Sequence, residues 1–569
     1  MQAENNVNNA QMKIDWKKIL PYAVAIVAFV VVAMIYCAPL LEGKVLVQGD
    51  VNNWKGAAQE ALEFRAETGK ATSWTNSMFG GMPTYQITGS LPSSKFRQVI
   101  SDALHLGFQD SNPFGLVFAY FVGFFIMLLC FGVNPWLSII GALAVGMSSY
   151  FFIIIPAGHV TKAIAISYLA PIIGGFHLIM QRKYWAGAPL IIFYGFLGIA
   201  SHAQMTYYIF LLMGVMACAE LYIHFREKRW KDLGISVGVL AISLLLVFGT
   251  KLSWWEMNQS YLKETMRGGH SELTSNSNSD STSNSNSGLS LDYATAWSYG
   301  RAESLNMFVP DFMGGASTDT FAVDGPVAES LREYGLEQMA QYMPRYRGAQ
   351  PYTAGPTYLG AVAVFLAILG LILSSNRNRW WILGTSIFAL LLSWGSNFMW
   401  FTELCYNYLP MYNKFRTVSM ALVVLQWTVP LLAAIALWNL FKCESKQTLR
   451  KALLWSGGVT ATILLLFSVK GDFFFDFGEE QTALRISSRF EQIFTGGGAE
   501  ELVKEGLHDE IGWALAGAIA TEREQMMSAD SLRSLIFVLL AVGVVALVVY
   551  GKLKKGYAIA ALALLVVAD

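Results

Sequence analysis

The sequence is poor in charge: 14% of its 569 residues are Asp, Glu, Lys or Arg, against 54% hydrophobic. Soluble domains carry nearly twice that charge density, so an ordinary water-soluble globule is excluded and lipid is the expected solvent. An excess of one sign is also missing. The 40 basic and 40 acidic residues cancel, which leaves no bulk field to attract nucleic acid. Cysteine is scarce. Cys37, Cys130 and Cys218 fall in apolar stretches and Cys443 in a basic loop; only Cys405 lies in a segment expected outside. That excludes an external intramolecular disulfide, and no CxxC or Cys/His spacing suggests zinc. The first apolar run is expected to be an uncleaved transmembrane helix rather than a cleavable signal. Lys13, Lys17 and Lys18 precede an apolar run, but Ile19 to Leu41 is too long for a signal and has no small-x-small site. Cys37 follows Tyr36, which argues against lipoprotein cleavage. No internal repeat of the kind that marks many transporters is present.

What is there is a series of long apolar runs. A bilayer core needs about 20 such residues per helix. Candidate spans are 19–41, 114–133, 136–155, 161–180, 185–200, 205–224, 233–252, 356–374, 380–396, 418–441, 452–469, 535–550 and 556–568. This predicts an all-α polytopic membrane protein of about thirteen transmembrane helices. Lys and Arg in the short loops set the orientation. With the N-terminus inside, Arg182 and Lys183, then Arg226 to Lys231, Arg377 and Arg379, Lys442 to Lys451, and Lys552 to Lys555 all fall on the cytoplasmic side. The short links near 156–161 and 201–204, expected outside, contain no Lys or Arg.

The chain then divides into a cytoplasmic N-terminus, 1–18, and a first transmembrane module, 19–252, carrying the external loop 42–113. An external loop 253–355, a second transmembrane group 356–469, an external loop 470–533 and C-terminal helices 534–569 follow. The Ser/Asn tract 274–290 is expected to be disordered, because it cannot bury enough apolar surface to offset its ordering entropy. The run ending at Asp569 is shorter than a span, so the chain is expected to be part of a longer product. Large loops on one side place the polar chemistry outside, where ATP is absent and substrates arrive preformed.

The most informative stretch follows the first span: Val47-Gln-Gly-Asp50-Val-Asn-Asn-Trp54. Asp50 should sit close to the outer leaflet, and Gly49 would let the backbone turn or approach a ligand closely. Residues 55–66 have the composition of an interfacial helix, and Phe79-Gly-Gly-Met-Pro83 is turn-rich. A lone Asp in an external loop is ordinarily a solvated turn residue.

A first span, Gly49-Asp50, an interfacial helix, then Trp74 and Gly81-Met-Pro83 together resemble the YfhO-like family of bacterial membrane proteins, within the GT-C superfamily of polytopic glycosyltransferases. Pro310-Asp-Phe-Met-Gly-Gly315, Pro356-Thr-Tyr-Leu-Gly360 and Asn413-Lys-Phe-Arg416 extend the resemblance in order over most of the chain. It implies a GT-C-like bundle with large extracytoplasmic loops in the bacterial cytoplasmic (inner) membrane. It also implies an inverting enzyme that transfers a sugar from a polyprenyl-phosphate donor to an extracytoplasmic glycan, lipid or protein. Asp50 matches the acidic residue that acts on the acceptor. A carboxylate within reach of the acceptor hydroxyl would take its proton as it attacks the anomeric carbon, and fixed positive charge would stabilise the departing phosphate.

Candidates for phosphate binding are Lys162 at the outer entrance of a span, Arg416 and Lys414. Snorkelling to headgroups is the plainer role for such residues, and Arg345 and Arg347 read as surface charges. His159 and His202, at outer helix ends, and Trp54 and Trp74, which could stack on a sugar face, are candidate substrate contacts. A structural histidine and an interfacial tryptophan anchor are the ordinary alternatives; anchoring is the expected role of Trp254 and Trp255. The first loop has no DxD pair, so no cofactor is predicted as required, although a divalent metal stays open. Two other functions fit the composition: a transporter or flippase for a lipid-linked sugar, and a non-catalytic scaffold for envelope assembly. Span interiors nearly free of charge, apart from Glu220 close to one end, disfavour transport.

Overall fold

The computed structural model describes residues 15–88, 94–108, 112–265, 267, 288–498 and 500–569. The Ser/Asn tract at 274–287 lies outside the described residues. Residues 288–290, at its end, are built into the fold: Leu289 is buried, and its N–H donates to the Asn413 carbonyl.

Apolar runs become helices because a backbone in lipid must satisfy its hydrogen bonds within the segment. Among the described residues eight helices are long and apolar enough to cross a membrane: Trp16–Tyr36, Pro113–Cys130, Val160–Met180, Ala203–Arg226, Trp230–Gly249, Val418–Lys442, Lys446–Val469 and Leu507–Val549. Arg377–Ser393 and Gly395–Tyr408 form a bent pair, turning by 113°. Pro135–Gly146, Tyr184–Gly198, Ala361–Leu373 and Lys555–Ala568 are apolar but shorter. Among the described residues the only strands are Trp74–Thr75 and Met82–Pro83, paired antiparallel. The protein is thus an all-α membrane protein. Trp16–Tyr36 and Trp230–Gly249 leave Val27, Ile35, Ile242 and Leu245 exposed. Such faces are costly in water and at home against acyl chains.

Val160–Met180 is buried from Lys162 onward and packs against Pro113–Cys130, Tyr184–Gly198 and Ala203–Arg226. Lipid tails are as apolar as leucine, so close packing rather than the hydrophobic effect holds neighbouring spans together. Glycines provide the approach. A Cβ on Gly123 would lie 2.1 Å from the Ser167 carbonyl oxygen, and one on Gly187 would lie 2.6 Å from that of Gly175. The same holds between Gly370 and the Leu432 carbonyl, at 2.6 Å.

Several segments differ from the hydropathy pattern. The apolar run 136–155 is two helices, Pro135–Gly146 and Ser149–Ile154. At the break the Ser148 hydroxyl reaches the Tyr358 carbonyl at 3.0 Å and the Gln426 side chain. The segment 470–533 is mostly helical: Glu479–Gly496 packs against Leu507–Val549, a single helix of 43 residues that contains the run 535–550 in its last third. Asp50 is not in a loop ahead of a helix. It stands in the first turn of Gly49–Thr68, a helix that takes in the whole of 55–66.

Candidate functional site

Three helix N-termini meet at one end of the bundle. Gly49–Thr68 carries Asp50 in its first turn, His159 stands just before Val160–Met180 without a capping side-chain bond, and His202 caps Ala203–Arg226. Unsatisfied N–H groups at such ends favour a negative charge. The first of these helices is fastened to the turn before the second. Gln48 Nε2 donates to the Ile155 carbonyl at 2.7 Å, and the Asp50 N–H donates to the Ala157 carbonyl at 3.2 Å. This approach requires a glycine at 158, which lies at φ +87°; a Cβ there would be 2.9 Å from the Val51 nitrogen and 3.1 Å from Asp50 Cβ. Gly49, singled out in the sequence for its turning freedom, is an ordinary helical residue without positive φ.

The fastening brings His159 Nε2 to 3.1 Å from Asp50 Oδ2. The Asp50 side chain is 58% exposed and that of His159 40%, so the carboxylate is open rather than sealed in the fold. Three positions beyond His159, Lys162 is 6% exposed. Its ammonium lies over the Tyr150 ring, 5.2 Å from the centroid. No carboxylate among the described residues pairs with it. Taking a cation out of water without a counter-charge is expensive.

Burial holds the His159 imidazole below its ordinary pKa; Lys162 and, more weakly, Arg416 act in the same direction, and Asp50 opposes them. His202 is pushed down to about 3, by burial first and then by Lys162, His159 and Arg267. These influences mark one neighbourhood: Asp50, His159, Lys162, His202, Arg267 and Arg416. Among the described residues that act on these two imidazoles, one carboxylate, Asp50, faces three basic side chains, Lys162, Arg267 and Arg416.

Arg416 arrives on the turn between the bent pair and Val418–Lys442, where Met411 and Thr417 both have φ near +60°. Its carbonyl accepts from Gln204 Nε2 at 2.7 Å, and its guanidinium donates to the Tyr293 hydroxyl at 2.7 Å. Lys414, on the same turn, donates to the Arg267 carbonyl at 2.9 Å. Arg267 and Tyr293 escaped the sequence reading. Arg267 borders a low-complexity tract with no periodicity to mark it, and the aromatic helix Leu252–Leu262 before it is the local cue. Trp54 and Trp74 brace the first large loop: Trp54 Nε1 donates to the Ile87 carbonyl at 2.7 Å, and the Trp74 ring occupies the space of a Gly81 Cβ. Both rings remain partly exposed.

Beside the site lies an apolar cavity of about 340 Å³, lined by Tyr36, Leu40, Leu46, Val117, Phe152 and Ile155 among others. Leu46 and Ile155 belong to the two segments that Gln48 joins, so the cavity abuts the fastening that holds Asp50. Among the described residues no group of three or more His, Cys, Asp or Glu side chains could hold a metal ion.

His202 gives the site a measurable pH response. Its Nδ1 accepts the Met205 N–H at 3.3 Å, capping the helix, and that requires an unprotonated Nδ1. The folded pKa lies below the unfolded one, so between about 3 and 6.5 the unfolded chain binds the extra proton. Stability from this group is therefore complete above pH 6.5 and is lost as pH falls. Asparagine caps equally well and does not titrate. Between pH 7.5 and 5, His202→Asn should lose about 2 kcal/mol less unfolding free energy than wild type in detergent. Parallel losses would show that the ring is not buried neutral.

Compared with family models, with curated proteins and with solved structures, the chain matches none.

Proposed function

We propose that the chain is a GT-C-type glycosyltransferase, moving a sugar from a polyprenyl-phosphate donor to an extracytoplasmic acceptor. The observation that carries this reading is Lys162: a buried cation with no carboxylate partner among the described residues, at a helix N-terminus, in the neighbourhood of an exposed carboxylate. Basic side chains outnumber the one carboxylate in this neighbourhood, and the phosphate of a lipid-linked sugar is an anion with the chemistry to pair with them. Arg416 adds a planar donor fork on the exposed side. The adjoining apolar cavity suits part of the carrier chain.

The reaction needs few parts. The acceptor hydroxyl oxygen attacks the anomeric carbon while Asp50 takes its proton. The bond from that carbon to the phosphate oxygen breaks, and its electron pair leaves with the phosphate, whose charge Lys162 and Arg416 offset. Attack opposite the leaving group inverts the configuration. In this reading about thirteen spans lie in a bacterial inner membrane, with the N-terminus cytoplasmic and the Asp50 end outside.

The test is to supply membranes containing the chain with a panel of radiolabelled polyprenyl-phosphate sugars and follow label into any acceptor. Lys162→Met should lower kcat/KM about 10- to 100-fold, the loss of a charged phosphate contact. It should not lower Tm, because it removes an unpaired buried cation. Unchanged kcat/KM would remove Lys162 from the donor site. The 113° bend between Arg377–Ser393 and Gly395–Tyr408 favours, as a second reading, movement of a lipid-linked sugar across the bilayer, since transporters build sites at broken helices. Transbilayer movement of labelled donor in proteoliposomes, without transfer, would select it.

A further inference from the structure

Asp50 does not stand alone. His159 Nε2 is 3.1 Å from Oδ2, while His159 Nδ1 is buried with no hydrogen-bond partner among the described residues. The backbone enforces the contact, since Gly158 at φ +87° packs against Val51 N and Asp50 Cβ and the Asp50 N–H is bonded to the Ala157 carbonyl. A neutral imidazole has one N–H and one lone pair. Placing the proton on Nε2 gives a hydrogen bond to the carboxylate; placing it on Nδ1 would strand a donor in a buried position and set a lone pair against an anion. The geometry therefore selects the Nε2–H tautomer.

We propose that His159 is the positioning residue of the site, holding Oδ2 of Asp50 through Nε2–H so that Oδ1 alone takes the acceptor's proton. This rests on the transferase reading for its role in turnover, but not for the pairing itself. His159 is not a proton relay: its lone pair is on Nδ1, away from the carboxylate. The proton leaving the acceptor ends on Asp50 and is released to water with the product. Among the described residues four groups face the ring: Asp50 from Gly49–Thr68, Lys162 from the ring's own helix, His202 from the cap of Ala203–Arg226, and Arg416 from the turn before Val418–Lys442. Burial and the cations keep it neutral near pH 7, and Asp50 is the one group that opposes them. When pH falls far enough to protonate Nδ1, the imidazolium pairs with the carboxylate, weakens it as a base and lowers turnover.

Two measurements test this on the full chain in lipid nanodiscs. In ¹⁵N-histidine spectra, with His159 assigned by its loss in His159→Asn, the ring should be Nε2-protonated at pH 7. Its titration midpoint should fall in Asp50→Asn and rise in Lys162→Met. An Nδ1–H ring, or a midpoint unmoved by Asp50→Asn, overturns the pairing whether or not any sugar is transferred. With a transferred sugar in hand, His159→Ala should lower kcat about 100-fold with KM within twofold, the loss expected of a misdirected base. His159→Gln, which keeps an N–H donor without titrating, should recover most of that loss and shift the acid limb of the pH–rate profile. A kcat for His159→Ala within twofold of wild type, or an acid limb identical in His159→Gln, overturns the role in turnover. If the wild-type chain transfers no label, the transferase reading fails separately and the spectra alone decide the pair.

Discussion

Asp50→Asn is expected to lower glycosyl transfer by about 100- to 10,000-fold, the contribution of a positioned general base, and to leave KM for the donor nearly unchanged. The amide is isosteric and its oxygen still accepts from His159 Nε2, so the fastening of Gly49–Thr68 to the turn at 155–159 should persist. What is lost is the ability of Oδ1 to take a proton. Expression, thermal stability and donor affinity should therefore match wild type. Label transfer in purified nanodiscs is the measurement, with Asp50→Glu as a companion that keeps the charge but moves it by one methylene. Activity of Asp50→Asn within a few-fold of wild type would move the base elsewhere. The carboxylates next in line are then Asp311 and Asp530, which lie together where the Asp311 N–H donates to Asp530 Oδ2 at 2.8 Å.

The membrane class and the positions of most helices are legible in hydropathy, because lipid demands long apolar runs and long apolar runs are easily seen. Breaks inside such runs are not. Nothing in 136–155 signals that Ser148 will bond across to Tyr358 and Gln426, since those partners come from distant spans. The helix Leu507–Val549 is hidden for the opposite reason. Its first half carries Asp509, Glu510, Glu522 and Arg523 and reads as loop, yet Glu479–Gly496 packs along it and makes it one continuous element.

At the site the same contrast holds. Asp50, His159, Lys162, His202 and Arg416 can each be picked from the sequence, because each is a polar residue at the end of an apolar or helical run. Their grouping cannot, since it depends on three helix N-termini converging. Gly158 is the instructive residue. The sequence directs attention to Gly49, which neighbours Asp50 in the chain, whereas the glycine that lets Asp50 reach its partner neighbours it only in space.

Arg377→Ala should be among the most destabilising single substitutions in the bundle, costing about 3–5 kcal/mol. Glu220 lies in Ala203–Arg226 at the end remote from His202, and its side chain is 2% exposed. Arg377, in the first turn of the bent pair, donates Nε to Glu220 Oε1 at 2.7 Å and a second N–H to Oε2, a two-pronged contact. The Gln181 side-chain oxygen, in the amide orientation that satisfies both residues, accepts from the same guanidinium at 2.8–3.1 Å. Gln181 ends Val160–Met180, so one guanidinium ties three helices together at the end away from the site. His224 Nδ1 lies against the Glu220 carbonyl at 2.8 Å and offers the carboxylate only a distant contact, 3.8 Å. Removing Arg377 therefore leaves a buried carboxylate without its counter-charge, and the cost is that of an uncompensated ion rather than of one hydrogen bond. The double variant Glu220→Leu/Arg377→Leu, which removes both charges and fills the space, should recover most of the loss. Thermal unfolding of the three proteins in one detergent decides the matter. Equal losses in Arg377→Ala and the double variant would mean that packing by the arginine stem, and not the buried ion pair, holds this end of the bundle.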